Sequence, residues 1–507
     1  MSIRRVIATK ADIEKDVVDL FNSFFGIDPV FAKDVYTKQL AIHIEQILDD
    51  VSFFIEAPYI DKVYRDSYYN YFSSKLGNYK KDCIRISIFK GAITEESFRN
   101  NATVQDLHNS YLGFIVLRPT TPNIIGRSVI SPKAVKHNGF LSVSAKVGST
   151  ANSIKLDVDG FPHSSQDTET ITCAETSLWA IMEYFGYKYP EYKPVLPSKI
   201  TEVLKKVSSE RQVPSKGLNI QQMAYALKEF GFGTRIYGKQ EFGAEFKKLF
   251  SAYIESGIPI IVAVDNRHHG GNIGHAFLTI GHESTNDNAI DTLPVSTEPD
   301  NFIANEIAAK HIQFYDQDDI NKKYVFVDDN MPAYCMNQFD TPTRHYTSAE
   351  WHNCDITYFI VPLHPKIYLE AYEAKIFSKQ VLLTGFNIAN NSEIYFRYFL
   401  TSSRSYKHYV AQESNIQEDI REMIIETEMP KFIWVAEISN KRLIKQRLAS
   451  GFIIIDATEA NILGIKPLIT AWYNGEMLTL DSSTGNLSRI SLPLPNFFIF
   501  TNNLKGF

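Results

Sequence analysis

Apolar residues recur at three- and four-residue spacing in ADIEKDVVDLFNSFFG (11–26) and FAKDVYTKQLAIHIEQILDDVSFFI (31–55). That period predicts mainly helical structure over residues 1–80. The next segment, DKVYRDSYYNYFSSKLGNY (61–79), is Tyr-rich and reads as an aromatic packing face. The pattern then shifts towards strands in CIRISIF (83–89), YLGFIVLRP (111–119), FLSVSAKV (140–147) and SIKLDVDGFP (153–162). Residues 173–186 and 218–231 return to a helical period, with Gly186 as a C-terminal stop for the first. Residues 258–264, 275–281, 324–327 and 356–363 are apolar runs of buried-strand length, and the polar stretch 283–323 reads as a surface insertion between strands. After PLHPK (362–366) the texture changes again. KQVLLTGFNI (379–388), EIYFRYFLTS, KFIWVAEIS, GFIIIDAT and PLITAWYNGEML alternate or run apolar, interrupted by one helix, QEDIREMIIETE (417–428). The expected fold class is α+β in three parts. These are an N-terminal α/β domain (1–150, helical in its first half), a central domain (151–366, with the insertion 283–323) and a C-terminal α/β or β-rich domain (367–507).

Composition narrows the function classes. A chain of 507 residues exceeds the roughly 250–300 at which one core stops growing, which supports several domains. Charged residues are 22% and hydrophobic residues 44%, the usage of a globular chain and not of a disordered or coiled-coil one. The net charge of −6 supplies no basic field, and few cations interleave the tyrosines, so nucleic acid is not an expected partner. Four cysteines, Cys83, Cys173, Cys335 and Cys354, are too widely spaced for a zinc or disulfide framework and suit a reducing compartment. MSIRRVIATKADIEKD lacks an apolar signal core, and no apolar run reaches membrane-spanning length. The expectation is a cytoplasmic protein without membrane association.

Candidate chemistry concentrates in four places. In QDTETITCAETSLWAIMEYFG, Leu178, Ile181, Met182 and Phe185 share a helical face, and Thr170 or Thr172 can cap the start. Cys173 therefore opens a buried helix, where unpaired N–H groups and the helix dipole favour the nucleophilic thiolate. GIPIIVAVDNRHHGGNIGHAFLTIGH (257–282) reads as a strand, a glycine-rich loop and a second strand entered by His275. That position suits a base better than those of the loop histidines His268 and His269. YVFVDDNMPAY (324–334) ends a strand in Asp328 and Asp329, either of which can accept the second imidazole N–H, with Asp328 favoured as the direct continuation. Gln166, seven residues before Cys173, can join the Cys173 backbone N–H as an oxyanion donor.

In this order, Gln, helix-opening Cys, strand-opening His and strand-ending Asp resemble papain-like cysteine peptidases, most nearly their C39-like branch. ITCAETSLWAIMEYFG is similar to that branch's cysteine helix, GLNIQQMAYALKEFGF to its following helix, and GIPIIVAV with GHAFLTIGH to its paired strands. The resemblance covers about residues 155–365. It implies a helical lobe and an antiparallel-sheet lobe with the site between them. It implies thiol peptidase chemistry without a cofactor, with Cys173 as nucleophile, His275 as base, Asp328 as orienting acid and Gln166 as oxyanion donor. The chain departs from the family at Thr172–Cys173–Ala174, where the family often has Asp–Cys–Gly, and in the longer spacing from Gln166 to Cys173. The implied partners are a protein or peptide substrate and a regulatory protein docking on the flanking domains. Two other functions fit the same residues: acyl transfer to an amine, as in transglutaminase-like enzymes, and an inactive binding scaffold. HHGGNIGH lacks the HExxH spacing and carboxylates of a zinc site, so no metal is expected. Arg118, Arg127 and the run RYFLTSSRSYKHYV (397–410), with Arg397, Arg404, Lys407 and His408, are either anion-binding patches or solvated edges.

Overall fold

The computed structural model describes residues 3–77, 79–99, 101–121, 123–462, 464–480 and 486–506. The fold is mixed α+β, built on three large, mainly antiparallel sheets.

The first sheet runs Arg4–Thr9, Val51–Tyr59, Cys83–Lys90, Tyr111–Leu117, Ser128–Ile130, Ile154–His163, Ala145–Ala151 in spatial order. The helical expectation holds between Ile13 and Glu45 and again at Lys62–Asn70, but fails at Arg4–Thr9 and Val51–Tyr59. VSFFI is the start of a strand, because after Asp49–Asp50 its aromatic and β-branched residues are buried on both faces and no polar side remains for a helix. Arg4–Thr9 pairs with that strand as an edge. The Tyr-rich segment packs as expected, with Tyr64 buried on Phe72 and Cys83 in one core.

The second sheet is ordered Cys335–Gln338, Lys323–Val327, Gly274–Glu283, Ile260–Asp265, Asp355–Leu363, Gly233–Gly238. Phe140–Ser142 joins it beside Gly281–Glu283, and Lys505–Gly506 adds to that strand in turn. Its apolar runs are continuous because both faces are covered. Ile261, Ala276, Leu278, Val325 and Val327 enter a core shared with helix Cys173–Lys188 and the first sheet. Ile260, Val262, Phe277, Tyr324 and Phe326 face a second core with helix Glu245–Glu255 and the C-terminal sheet. The approach of Phe140–Ser142 depends on Gly281, where an added Cβ would lie 1.9 Å from the Leu141 carbonyl oxygen. Gly281→Ala is expected to cost about 1–3 kcal/mol by forcing the strands apart, read from the midpoint of urea unfolding.

The third sheet is ordered Gln313–Asp316, Glu393–Ser402, Phe432–Ser439, Gly451–Asp456, Leu468–Tyr473, Glu476–Leu480, Leu487–Ser491, and only its first pair is parallel. The stretch 283–323 is therefore not a surface insertion alone. It holds helix Asn301–Lys310 and supplies the edge strand of the C-terminal sheet. A surface insertion would leave its acidic residues in solvent, yet Asp316 and Asp318 are buried against Lys375 (2.6 and 2.8 Å). Lys379 also reaches Asp316, at 2.8 Å. Those lysines project from helix Ala371–Gly385, which corrects the strand expectation for KQVLLTGFNI. A short apolar run does not separate a buried strand from a buried helix. Helices Ser403–Gln412 and Lys441–Lys445 join Glu418–Glu426 in this part, so the expected single helix is also corrected.

Helix Cys173–Lys188 is buried from Ala174 to Phe185, on all sides rather than on one face. Gly186 does not stop it. Gly186 lies within the helix, and a Cβ there would meet Pro194 at 2.4 Å, so glycine is required for close packing. Arg127 is neither an anion patch nor a solvated edge. It is buried and ties the first sheet to this helix through Glu183 (3.3 Å) and the Tyr187 hydroxyl (3.0 Å).

Candidate active site

The loop entering the cysteine helix is rigidly built. The Asp167 carboxylate accepts the N–H groups of Glu169, Thr170 and Ile171 at 3.0, 2.6 and 3.0 Å. Buried Arg118 donates to the carbonyls of Asn123, Ser165 and Gln166 at 3.1, 3.0 and 3.3 Å, so it too is a structural clamp. Thr172 is the extended residue before the helix, and its N–H donates to Glu175 at 3.2 Å. This reciprocal capping fixes Cys173 as the first helical residue, half-buried.

His275 is the second residue of its strand, and its neighbour Lys323–Val327 delivers Asp328 just past the Leu278–Val327 pair. His275 Nε2 lies 3.0 Å from Asp328 Oδ1, and the Cys173 thiol is among the groups that interact with the imidazole. With Nε2 facing the carboxylates, Nδ1 is the nitrogen left for the thiol. Burial would lower the His275 pKa. The Asp328 charge and hydrogen bond outweigh it, and with Cys173 and Asp329 they raise it well above the usual value. Trp351 meets the imidazole edge-on at 5.3 Å and stacks on Tyr346 at 3.8 Å.

Asp328 is fully buried. Besides His275 it accepts the Tyr346 hydroxyl at 3.0 and 2.9 Å, His345 Nε2 at 3.1 Å and the Asn330 N–H at 3.0 Å. The Asn337 amide donates to both the Pro342 carbonyl and His345 Nδ1, so His345 carries its proton on Nε2 and donates to Asp328. Burial pushes the Asp328 pKa up, but His275 and His345 pull it well below the carboxylate range. Its backbone carbonyl is held by His163 Nε2 at 3.2 Å, from the last residue of the first sheet's hairpin.

Asp329 is placed differently. Its Oδ1 is 3.4 Å from His275 Nε2, but neither of its buried oxygens has a hydrogen-bond partner. Burial, opposed by His275 and reinforced by Asp328, pushes its pKa up to about 7. Of the two candidates left open in the sequence, Asp328 makes the direct imidazole hydrogen bond. Gln166 donates through Nε2 to Asn330 at 2.9 Å, and Asn330 reaches the Tyr346 hydroxyl at 3.1 Å. Its second amide N–H makes no hydrogen bond among the described residues.

His268 and His269 are exposed, and His282 sits at the far end of the strand beside Glu255, 3.0 Å away. Burial pushes the thiols of Cys83, Cys335 and Cys354 up. His275, Asp328 and Asp329 also offer three metal-ligating atoms within 4.8 Å of one another, although the Asp328 oxygens are already taken by four donor groups. The segment 339–354 carries His345, Tyr346 and Trp351, none of which the sequence patterns singled out. The signal available was HYTSAEWH, imidazoles and aromatics inside a polar loop. Among the described residues no helix is long and apolar enough to cross a membrane. No protein-family model matches the chain, and no curated protein shows significant similarity to it.

Proposed function

We propose that the chain is a papain-like cysteine peptidase, with the central domain at about 151–366 and the flanking sheets serving regulation or substrate targeting. The observation that carries this reading is a buried imidazole, held by a buried carboxylate at 3.0 Å, whose electrostatic partners include the thiol of helix-opening Cys173. Cys173 Sγ attacks the carbonyl carbon of a peptide or isopeptide bond. The oxyanion is met by the Cys173 N–H and the free Gln166 amide N–H. The C–N bond then breaks, and the leaving amine takes the proton from His275. Water, giving its proton back to His275, cleaves the thioester and releases the acid.

The test is alkylation by iodoacetamide from pH 5 to 9, each cysteine followed by mass spectrometry, together with a peptide-pool hydrolysis assay. Cys173 is expected to react well below pH 8 and before the other three, and His275→Ala is expected to move its profile to higher pH. Labelling no faster than that of Cys335, with no peptide turned over, would leave an inactive scaffold as the better reading. Product formed only with an added amine would point to acyl transfer.

A further inference from the structure

At the end of strand Gly274–Glu283 remote from His275 lies a cavity of about 70 Å³, walled by the second sheet, helix Glu245–Glu255, the C-terminal sheet and the tail. A water needs roughly 10–15 Å³ of such space, so about five heavy atoms fit, the size of a phosphate or sulfate ion. The wall holds three buried nitrogen bases, His282, Lys322 and Arg397, around one carboxylate, Glu255. That carboxylate accepts from Arg397 Nε at 2.8 Å and Lys322 Nζ at 3.3 Å and lies 3.0 Å from His282 Nε2.

The donors are not saturated. Among the described residues Lys322 Nζ hydrogen-bonds to Glu255 alone and lies 6.0 Å from the Tyr324 ring, which leaves a buried ammonium with unused N–H groups. Arg397 places Nη1 on Glu437 at 2.7 Å and lies over the Phe399 ring at 4.4 Å, and its Nη2 has no hydrogen bond among the described residues. At the rim, Arg447 and the Thr501 hydroxyl are without side-chain partners. The wall carries Lys322, Arg397, Lys445 and Arg447 beside Glu255 and Asp287, with Arg397 also paired to Glu437 and Lys445 to Asp291, so Lys322, Arg447 and Arg397 Nη2 are left with donors to spare.

We propose that this cavity binds a tetrahedral oxyanion of phosphate size, held by Lys322 and Arg397 inside and by Arg447 and Thr501 at the rim. The bound ion would tie the tail and the C-terminal sheet to the sheet that carries His275. The site stands independently of the peptidase reading.

The test uses the full chain, with orthophosphate titrated against sodium chloride of equal ionic strength by thermal denaturation and calorimetry. A saturable rise in Tm beyond the chloride control is expected, with affinity weakened about tenfold in Arg447→Gln and reduced in Thr501→Val. Both changes leave the buried network intact, so folding is preserved. Glycerol phosphate serves as the second arm. Binding as tight as orthophosphate assigns the site to the phosphoryl group of a larger molecule, and failure to bind assigns it to the free ion. A shift no larger than chloride gives, or binding unchanged in both variants, overturns the proposal.

Discussion

Cys173→Ala and His275→Ala are each expected to lower turnover by about 10⁴-fold or more, and the double variant to fall no further than either one. The reason is that the two side chains act as one unit. Against the lowering by burial, Asp328 raises the His275 pKa well above its usual value, which favours an imidazolium beside the sulfur that attacks. Without the imidazole, no group beside Cys173 takes or returns the proton. Without the sulfur, the imidazole has no acyl group to discharge. The measurement is single-turnover cleavage of the best peptide from the pool, with circular dichroism to confirm that each variant folds. Full activity in Cys173→Ala would remove the thiol from the mechanism. Losses that multiply in the double variant would mean that Cys173 and His275 act separately.

Much of this arrangement was legible in the chain, for identifiable reasons. Cys173 announced itself because a helix start has its own local grammar, a capping Thr172 and Glu175 three residues on, followed by apolar residues at helical spacing. His275 and Asp328 were legible because each stands at the end of an apolar strand, and antiparallel pairing brings such ends together. His345, Tyr346 and Asn337 were not. They reach Asp328 from a loop whose path is set by tertiary contacts, and no periodicity marks it. Long-range roles failed in the same way. Arg118 and Arg127 read as anion-binding patches or solvated edges, yet both are buried, with partners as distant along the chain as Ser165 and Glu183. Arg397, read as part of a basic patch or solvated edge, is buried between Glu255 and Glu437. The mistaken strand at KQVLLTGFNI has the same origin. Lys375 and Lys379 are polar in sequence, but in the fold they neutralise the carboxylates of residues 316 and 318 and let the helix bury that face.

Asp328→Ala tests the site as a structural element, and the expected loss is about 3–5 kcal/mol at neutral pH. His275, His345, Tyr346 and the Asn330 N–H all lose their acceptor inside the fold. His345 cannot adapt by moving its proton, because Asn337 donates to its Nδ1 and is itself held by the Pro342 carbonyl. The pH dependence separates charge from packing. Asp328 has a folded pKa below its unfolded value, so its contribution is present above about pH 4 and is lost as the pH falls through and below that value. His275 has a folded pKa above its unfolded value of about 6.5, so its contribution is complete below that and is lost as the pH rises through the raised value. The stability difference between wild type and Asp328→Ala, from urea unfolding at a series of pH values, is therefore expected to be largest between about pH 4 and 6.5 and to shrink on both sides. Asp328→Asn keeps the volume and removes the charge, so it should lose less stability than the alanine variant and flatten both limbs equally. A difference of the same size at every pH would mean that Asp328 contributes shape alone. The imidazole would then have to be held in its charged form by Asp329, the other carboxylate beside it among the described residues.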